Sequence, residues 1–481
     1  MRLTYGAVAL ATAAVAVAAA LPAATAAVQV AAKTQAAASK QATSAQAANR
    51  QAAAGELLPE VATAPRITGG WEAPTTIADC VQSAKVRCYS PLQYQVAYDL
   101  GPLYAEGITG KGETIAIIES FGSPTIRHDL TVFDKQWNLP NPVLNILTAG
   151  KIPAFNAKNP EMISWAQETS LDVEYAHALA PGATIDLVET PVPETEGLEG
   201  FPAIVRAEQV LINLDKVDVI SQSFGATEDT LPGFGSGDFS ALADMRTAFT
   251  DAAAHHVTVL AASGDTGATA PGPDGVTLLK QRAVSWPASD PLVTAVGGTQ
   301  LTLSQSGSRT APDAVWNDGY GASGGGQSQI FSAPLFQSGV ESVTGDHRGV
   351  PDIAMSAAVN GAAWTYGSYA GTKDAWQLFG GTSEATPLFA GIVALADQVA
   401  GHPLGDINSA LYALGEQDDP ARTGIIPVTK GDNSYSGVSG YRAGSGYTLT
   451  DGWGTVDAAV FVPALAHYTP VQAVLLRAVS G

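Results

Sequence analysis

The chain has 481 residues, 46% of them hydrophobic and 14% charged, which is enough apolar sequence for one large core or two smaller ones and excludes a chain disordered throughout. A formal net charge of −21 argues against nucleic acid or an anionic membrane surface as partner, because neutralising phosphates requires clustered Lys and Arg. Such a balance suits a soluble, acid-tolerant protein.

In chain order, residues 1–26 hold one Arg, an apolar run from Ala7 to Leu21 and the small residues Ala24, Thr25 and Ala26, the pattern of a secretory signal peptide. Export is expected, with no membrane anchor. Residues 27–79 are rich in Ala, Gln and Ser and then in Pro and Gly, without an apolar stripe, and read as a linker. The folded domain is expected over residues 80–481. Cys80 and Cys88 are the only cysteines, too few for a zinc site, and in an oxidising compartment they are expected to form a short-loop disulfide.

Strand-like runs then follow at Thr114–Ser120, Thr184–Glu189, Val217–Phe224, Val257–Asp265 and Leu292–Thr299, with helical patterns between them at Pro160–Ala180, Pro202–Leu214 and Phe239–His255. This alternation predicts an α/β fold with a mainly parallel central sheet and helices on both faces, whose functional groups gather at the carboxyl ends of the strands.

Three stretches carry candidate chemistry. GGTSEATP, Gly380 to Pro387, sets Ser383 on a glycine-preceded turn at the start of an apolar helix that Gly401 stops. Ser383 reads either as a nucleophile at a helix N-terminus or as an ordinary cap. Within Asn159–Gly182, the residues Trp165, Glu168, Asp172, Tyr175 and Leu179 share one helical stripe. Acids on an apolar stripe are costly to bury unless paired or protonated, so they read either as a site or as a solvated surface row. Asp265 ends a strand in AASGDTGA, as a turn residue or as a protonated acid that stabilises an oxyanion. None of the seven histidines has the His-Gly-Thr setting of a histidine base in an ordinary subtilisin.

Taken together these residues resemble the sedolisin, or serine-carboxyl peptidase, family, from about Tyr89 to Val460. VISQSFG, WPASDPLVTAVGGT, GASGGGQS, RGVPDIA and GDINSALY extend the likeness in order along the chain. The resemblance implies a subtilisin-like fold and a secreted, acid-acting endopeptidase. Ser383 would be its nucleophile, Glu168 its base, Asp172 the orienting acid and Asp265 the oxyanion aspartate. It also implies that the backbone of Ser223, Phe224, Gly225, Gly324, Gly325 and Gly326 pairs with an extended polypeptide substrate, and a monomer is expected. A catalytically silent peptide-binding relative is the alternative.

Three departures stand out. The family's long propeptide has no counterpart in the short segment before the domain. The family's calcium ligands fall on Pro427, Val428, Gly444, Gly446 and Thr448, a neutral set that would hold Ca²⁺ poorly, so no cofactor is expected unless Asp432 and Asp451 substitute. Glu384 stands beside the nucleophile where a small residue is usual.

Overall fold

The computed structural model describes residues 66–371, 373 and 375–469. The signal peptide and most of the expected linker lie outside the described residues. Strands fall at β1 (Arg66–Trp71), β2 (Cys88–Tyr89), β3 (Thr114–Ser120), β4 (Val143–Thr148), β5 (Thr184–Thr190), β6 (Val219–Gln222), β7 (Thr258–Ala262), β8 (Thr294–Gln300), β9 (Ala314–Val315), β10 (Ile353–Ser356), β11 (Ala362–Tyr366) and β12 (Trp376–Phe379). The helices that position the site are α1 (Ile126–Trp137), α2 (Pro160–Leu179), α3 (Phe201–Asn213), α4 (Ser240–Met245), α5 (Thr247–Ala254) and α6 (Thr382–Ala400).

The central sheet runs β9-β8-β7-β6-β3-β5-β4, with β10 also pairing with β8. Every pairing in it is parallel except β8 with β9. β3, β6 and β7 are almost wholly buried, which is why they read as continuous apolar runs rather than alternating ones. α2 and α6 pack together on one face and α3 with α5 on the other. The chain adds β4 and β5 on one side of β3 and β6, β7 and β8 on the other. The carboxyl end of β3 is therefore the switch point where a ligand crevice forms.

A smaller sheet of order β1-β12-β11-β2 flanks this body. β1 pairs antiparallel with β12, so the folded body includes residues from Arg66 onward. Residues 66–79, read from their Pro and Gly as linker, belong to it because their backbone completes that sheet and Thr76 caps a short helix, Ile77–Ser83. Cys80 and Cys88 form the disulfide and join this helix to β2.

Two segments differ from the sequence expectation. The helical pattern at Phe239–His255 is two helices, α4 and α5, meeting at Arg246. Arg246 turns aside to an ion pair with Asp290 at 2.5 Å. α2 is buried on nearly all sides from Trp165 onward rather than along one stripe, because α6 covers the face that a lone amphipathic helix would expose. Gly391 permits this contact, since a Cβ there would stand 2.8 Å from the Leu179 Cβ.

Many carboxyls are buried in this body without a cation. Glu208 accepts from Gln222 Nε2 at 2.6 Å, yet burial pushes it up to about 8. Burial also pushes Glu174 and Asp397 well above the usual carboxylate range. A carboxyl whose folded pKa is raised binds its proton more tightly when folded. Its stabilisation is complete below the unfolded value of about 4 and disappears as pH rises through the folded value. The melting temperature is therefore expected to be highest near pH 4–5 and to fall steadily toward pH 8, as scanning calorimetry across that range would show; a flat or rising profile contradicts the assignment.

Candidate active site

α2 starts as its sequence dictates: the Asn159 side chain accepts from the N–H groups of Glu161 and Met162, and Pro160 occupies the first helical position. Two turns in, Glu168 and Asp172 lie one turn apart, 1% and 0% exposed. Burial raises both well above the carboxylate range; the Asp172 charge raises Glu168 further, and the Ser223 side chain partly offsets the shift of Asp172. The Ser383 hydroxyl lies against Glu168 and lowers it in part. That contact is longer or less aligned than an ordinary hydrogen bond, since Ser383 Oγ and both Glu168 oxygens complete none. Such slack is common where a catalytic bond tightens only with substrate present.

α6 supplies the serine. Its N-cap is Gly381, with φ of 101°, and makes no side-chain cap; Thr382 and Ser383 already lie inside the helix. Ser383 is thus not a capping residue, and its hydroxyl is left for other work. Pro387, four residues on, has no N–H to give the Ser383 carbonyl. Instead the Ser223 hydroxyl reaches that carbonyl at 3.4 Å, so one serine touches both Asp172 and the backbone of Ser383.

Asp265 follows β7. Its Oδ1 accepts from Thr382 N at 2.7 Å and Thr382 Oγ1 at 2.8 Å, while Oδ2 is buried without a partner. Burial pushes it up to about 6 against the opposing pull of the Thr382 bonds. In mild acid the unpartnered oxygen carries a proton, one residue's reach from Ser383 through Thr382.

The expected substrate-pairing backbone divides. Ser223, Phe224 and Gly225 pass Ser383 between β6 and the next short strand, Ala226–Thr227. The Phe224 ring is buried against Trp165 and Phe201 and serves the core. Gly324 and Gly325 are engaged inside the protein: Gly324 donates to Gly264 O and accepts from Ser263 Oγ, and Gly325 donates to Gly267 O and accepts from Asn433 Nδ2. Gly326 begins a strand paired with His347–Val350. These glycines brace the Asp265 turn, because a Cβ on Gly324 would stand 2.2 Å from Ser263 O.

Sequence reasoning overlooked Glu119 and Thr382. Glu119, at the carboxyl end of β3, is 1% exposed and without a hydrogen-bond partner; burial first, then Asp172, Glu168 and Glu189, raise it well above the carboxylate range. An acid closing an apolar strand was the available signal, the same one that marked Asp265. The histidines lie elsewhere: His177 pairs with buried Asp134, His255 with Asp215 and His347 with Asp346.

The residues aligned with the calcium site do not fit a cation. Thr448 and Thr450 both donate to Asp451 Oδ1, and burial pushes Asp451 up to about 7. Asp432 binds the Ser434 N–H in a surface turn of its own. Among the described residues no three His, Cys, Asp or Glu side chains are grouped to hold a metal.

The subtilase family model matches residues 148–406. Kumamolisin of Bacillus sp. (strain MN-32) is 33% identical over 387 residues, 78% of this chain and 63% of its own length. Sedolisin of Pseudomonas sp. (strain 101) is 29% identical over 79% of this chain and 62% of its own length. The chain thus spans less than two thirds of these curated relatives. The solved structure of Pseudomonas sedolisin, complexed with two molecules of pseudo-iodotyrostatin, superposes with a TM-score of 0.66 at 28% identity, over 78% of this chain and 97% of that one.

Glu384 tests the electrostatics beside the serine. Fully buried near Tyr94 and Ser356, it is pushed by burial up to about 8 and so adds no charge in acid. Glu384→Gln is expected to leave the melting temperature at pH 4 within a degree or two and to raise it at pH 8, where the wild-type carboxyl must ionise in the core; equal shifts at both pH values would refute this.

Proposed function

Since the chain belongs to the subtilase family, and within it to the sedolisins with their subtilisin-like fold, we propose that it is a serine-type endopeptidase that cleaves polypeptides in acid. The observation that carries the reading is the buried contact of Ser383 with Glu168, backed by Asp172 and flanked by the unpartnered oxygen of Asp265.

Ser383 Oγ attacks the peptide carbonyl carbon while Glu168 takes its proton. The carbonyl oxygen, now an oxyanion, accepts a hydrogen bond from the protonated Asp265 Oδ2 and from the Ser383 backbone N–H at the start of α6. Glu168 returns the proton to the departing amine as the C–N bond breaks, leaving an ester on Ser383. Water, deprotonated by Glu168, then releases the acid product and restores the hydroxyl. Asp172 and Glu119 share protons with Glu168 as one coupled group, so that a single negative charge is available at the base. Substrate backbone runs along Ser223 to Gly225 in extended form. Secretion follows from the N-terminal pattern and accords with the Cys80–Cys88 disulfide. A monomer is the proposed state.

The deciding experiment is a pH–rate profile on a denatured protein substrate. Ser383→Ala and Glu168→Gln are expected to abolish turnover while the fold is retained. The upper limb should fall near pH 6, where Asp265 loses its proton. Asp265→Ala should lose about 10²–10³ in kcat. Asp265→Asn keeps a neutral donor and should retain more activity, with its upper limb displaced upward. A rate that climbs through neutral pH with a histidine titration would sink the proposal.

No metal is proposed in the mechanism or the fold. Chelator is expected to leave the melting temperature unchanged, whereas Asp451→Ala should lower it by freeing two buried threonine hydroxyls; a marked fall on chelation would show a bound cation.

A further inference from the structure

At the carboxyl ends of β3 and β5, an open pocket of about 180 Å³ lies outside the catalytic group. Phe121, Pro124, Ile152, Pro153 and Phe155 line it together with Ser123 and Glu189. We propose that this pocket is a substrate subsite that takes an apolar side chain of leucine to phenylalanine size, roughly two or three residues from the scissile bond. The inference rests on the peptidase reading above and adds to it a site of side-chain selection.

Register places the pocket on the cleft. Ile118 pairs with Gln222 on β6, immediately before Ser223, and Glu119 pairs with Glu189 on β5. Neighbouring strands are about 4.8 Å apart, so the pocket lies on the order of 5–10 Å from Ser223, along the edge an extended substrate must follow. An extended chain advances about 3.3 Å per residue, which sets the reach of two or three residues. Glu119, buried at the end of β3, lies close enough to Glu189 on one side and to Glu168 and Asp172 on the other to be raised by all three.

The pocket is built rather than incidental. Phe121 and Gly122 have φ of 62° and 68°, so the chain reverses directly after β3. That reversal is fixed by Phe121 N donating to Thr190 O at 2.9 Å and Gly122 N to Ser120 O at 2.7 Å. Phenylalanine seldom adopts such a φ, and strain of this kind persists only where surrounding contacts impose it. Glycine suits the second position because L side chains seldom adopt its φ, and a Cβ on Gly122 would press on the Glu189 side chain, 2.1 Å from Oε1. On the far wall, Phe155 packs edge-on against Tyr369 at 6.3 Å, and Tyr369 is hydrogen-bonded to Gln377 on β12, the strand that leads to Ser383.

The walls select for apolar substance. Burial raises Glu189 up to about 7, so in acid its carboxyl is neutral and offers no counter-ion to a basic side chain. An aliphatic or aromatic side chain gains contact with two phenylalanines, two prolines and an isoleucine.

The test measures kcat/KM for quenched fluorescent peptides varied one position at a time, with the wild type, Ile152→Trp, Ile152→Ala and Phe155→Ala. The wild type should favour Leu or Phe over Ala by about tenfold or more at one position within three residues of the cleaved bond. Ile152→Trp, which fills the pocket, should collapse that ratio by about tenfold. Ile152→Ala and Phe155→Ala, which widen it, should move the preference at the same position toward Trp. Selectivity unchanged at every position in all three variants, with hydrolysis still dependent on Ser383, overturns the subsite and leaves the peptidase reading standing. Absence of Ser383-dependent hydrolysis in the wild type overturns both.

Discussion

The burial of acids without cations is the constraint on which the rest of this structure depends. Glu119, Glu168 and Asp172 sit within 1% of full burial, and an isolated carboxylate in such surroundings costs several kcal/mol. Three of the buried or half-buried arginines are committed elsewhere, Arg348 to Asp352, Arg246 to Asp290 and Arg309 to Asp313. What remains to neutralise the acids is protons. Much of the formal charge of −21 is thus not expressed in the folded protein under acid conditions.

That constraint makes the packing around the serine strict. α6 must lie against α2 closely enough for Ser383 to meet Glu168, and Gly391 removes the side chain that would hold the helices apart. Thr382 then ties the first turn of α6 to Asp265 through its N–H and hydroxyl, and its oxygen accepts from Gly264 N at 3.1 Å. Pro387 releases one helical carbonyl, and Ser223 takes it. A substitution at any of these points would move the serine relative to acids whose proton sharing depends on distance, so geometry and electrostatics fail together rather than separately.

The sequence made the chemistry legible where residue type and secondary-structure period agreed. α2 falls at Pro160–Leu179 because Asn159 and Pro160 mark its start, and the three-and-four rhythm placed Glu168 and Asp172 together. Asp265 was legible as an acid ending an apolar strand. Glu119 carried the same mark at the end of TIAIIES. The Gly324–Gly326 run was expected, from the family resemblance, to pair with substrate, and only tertiary contact reveals that Ser263, Gly264 and Gly267 bond to the backbone of Gly324 and Gly325. Arg66–Trp71 looked like linker because a strand completed by a partner more than 300 residues away leaves no local period to read. The pocket beside Phe121 was invisible for the same reason, since its walls come from three separated segments.

The C-terminal loop obeys the logic of the buried acids around Ser383. A cation held by carboxylates loses affinity as those carboxylates protonate, because ligands must be deprotonated to bind. Asp451 works in the opposite sense. Its Oδ1 accepts from Thr448 and Thr450 whether or not the other oxygen carries a proton, and with the group raised up to about 7 the protonated form is the one the fold favours. The loop packs closely on the domain, since a Cβ on Gly452 would stand 2.1 Å from the Asp352 backbone. Holding it with a neutral acid makes the scaffold firmest in the pH range where Asp265 keeps its proton. Two threonines on a buried aspartic acid therefore match the loop's stability to the protonation state that the proposed chemistry requires.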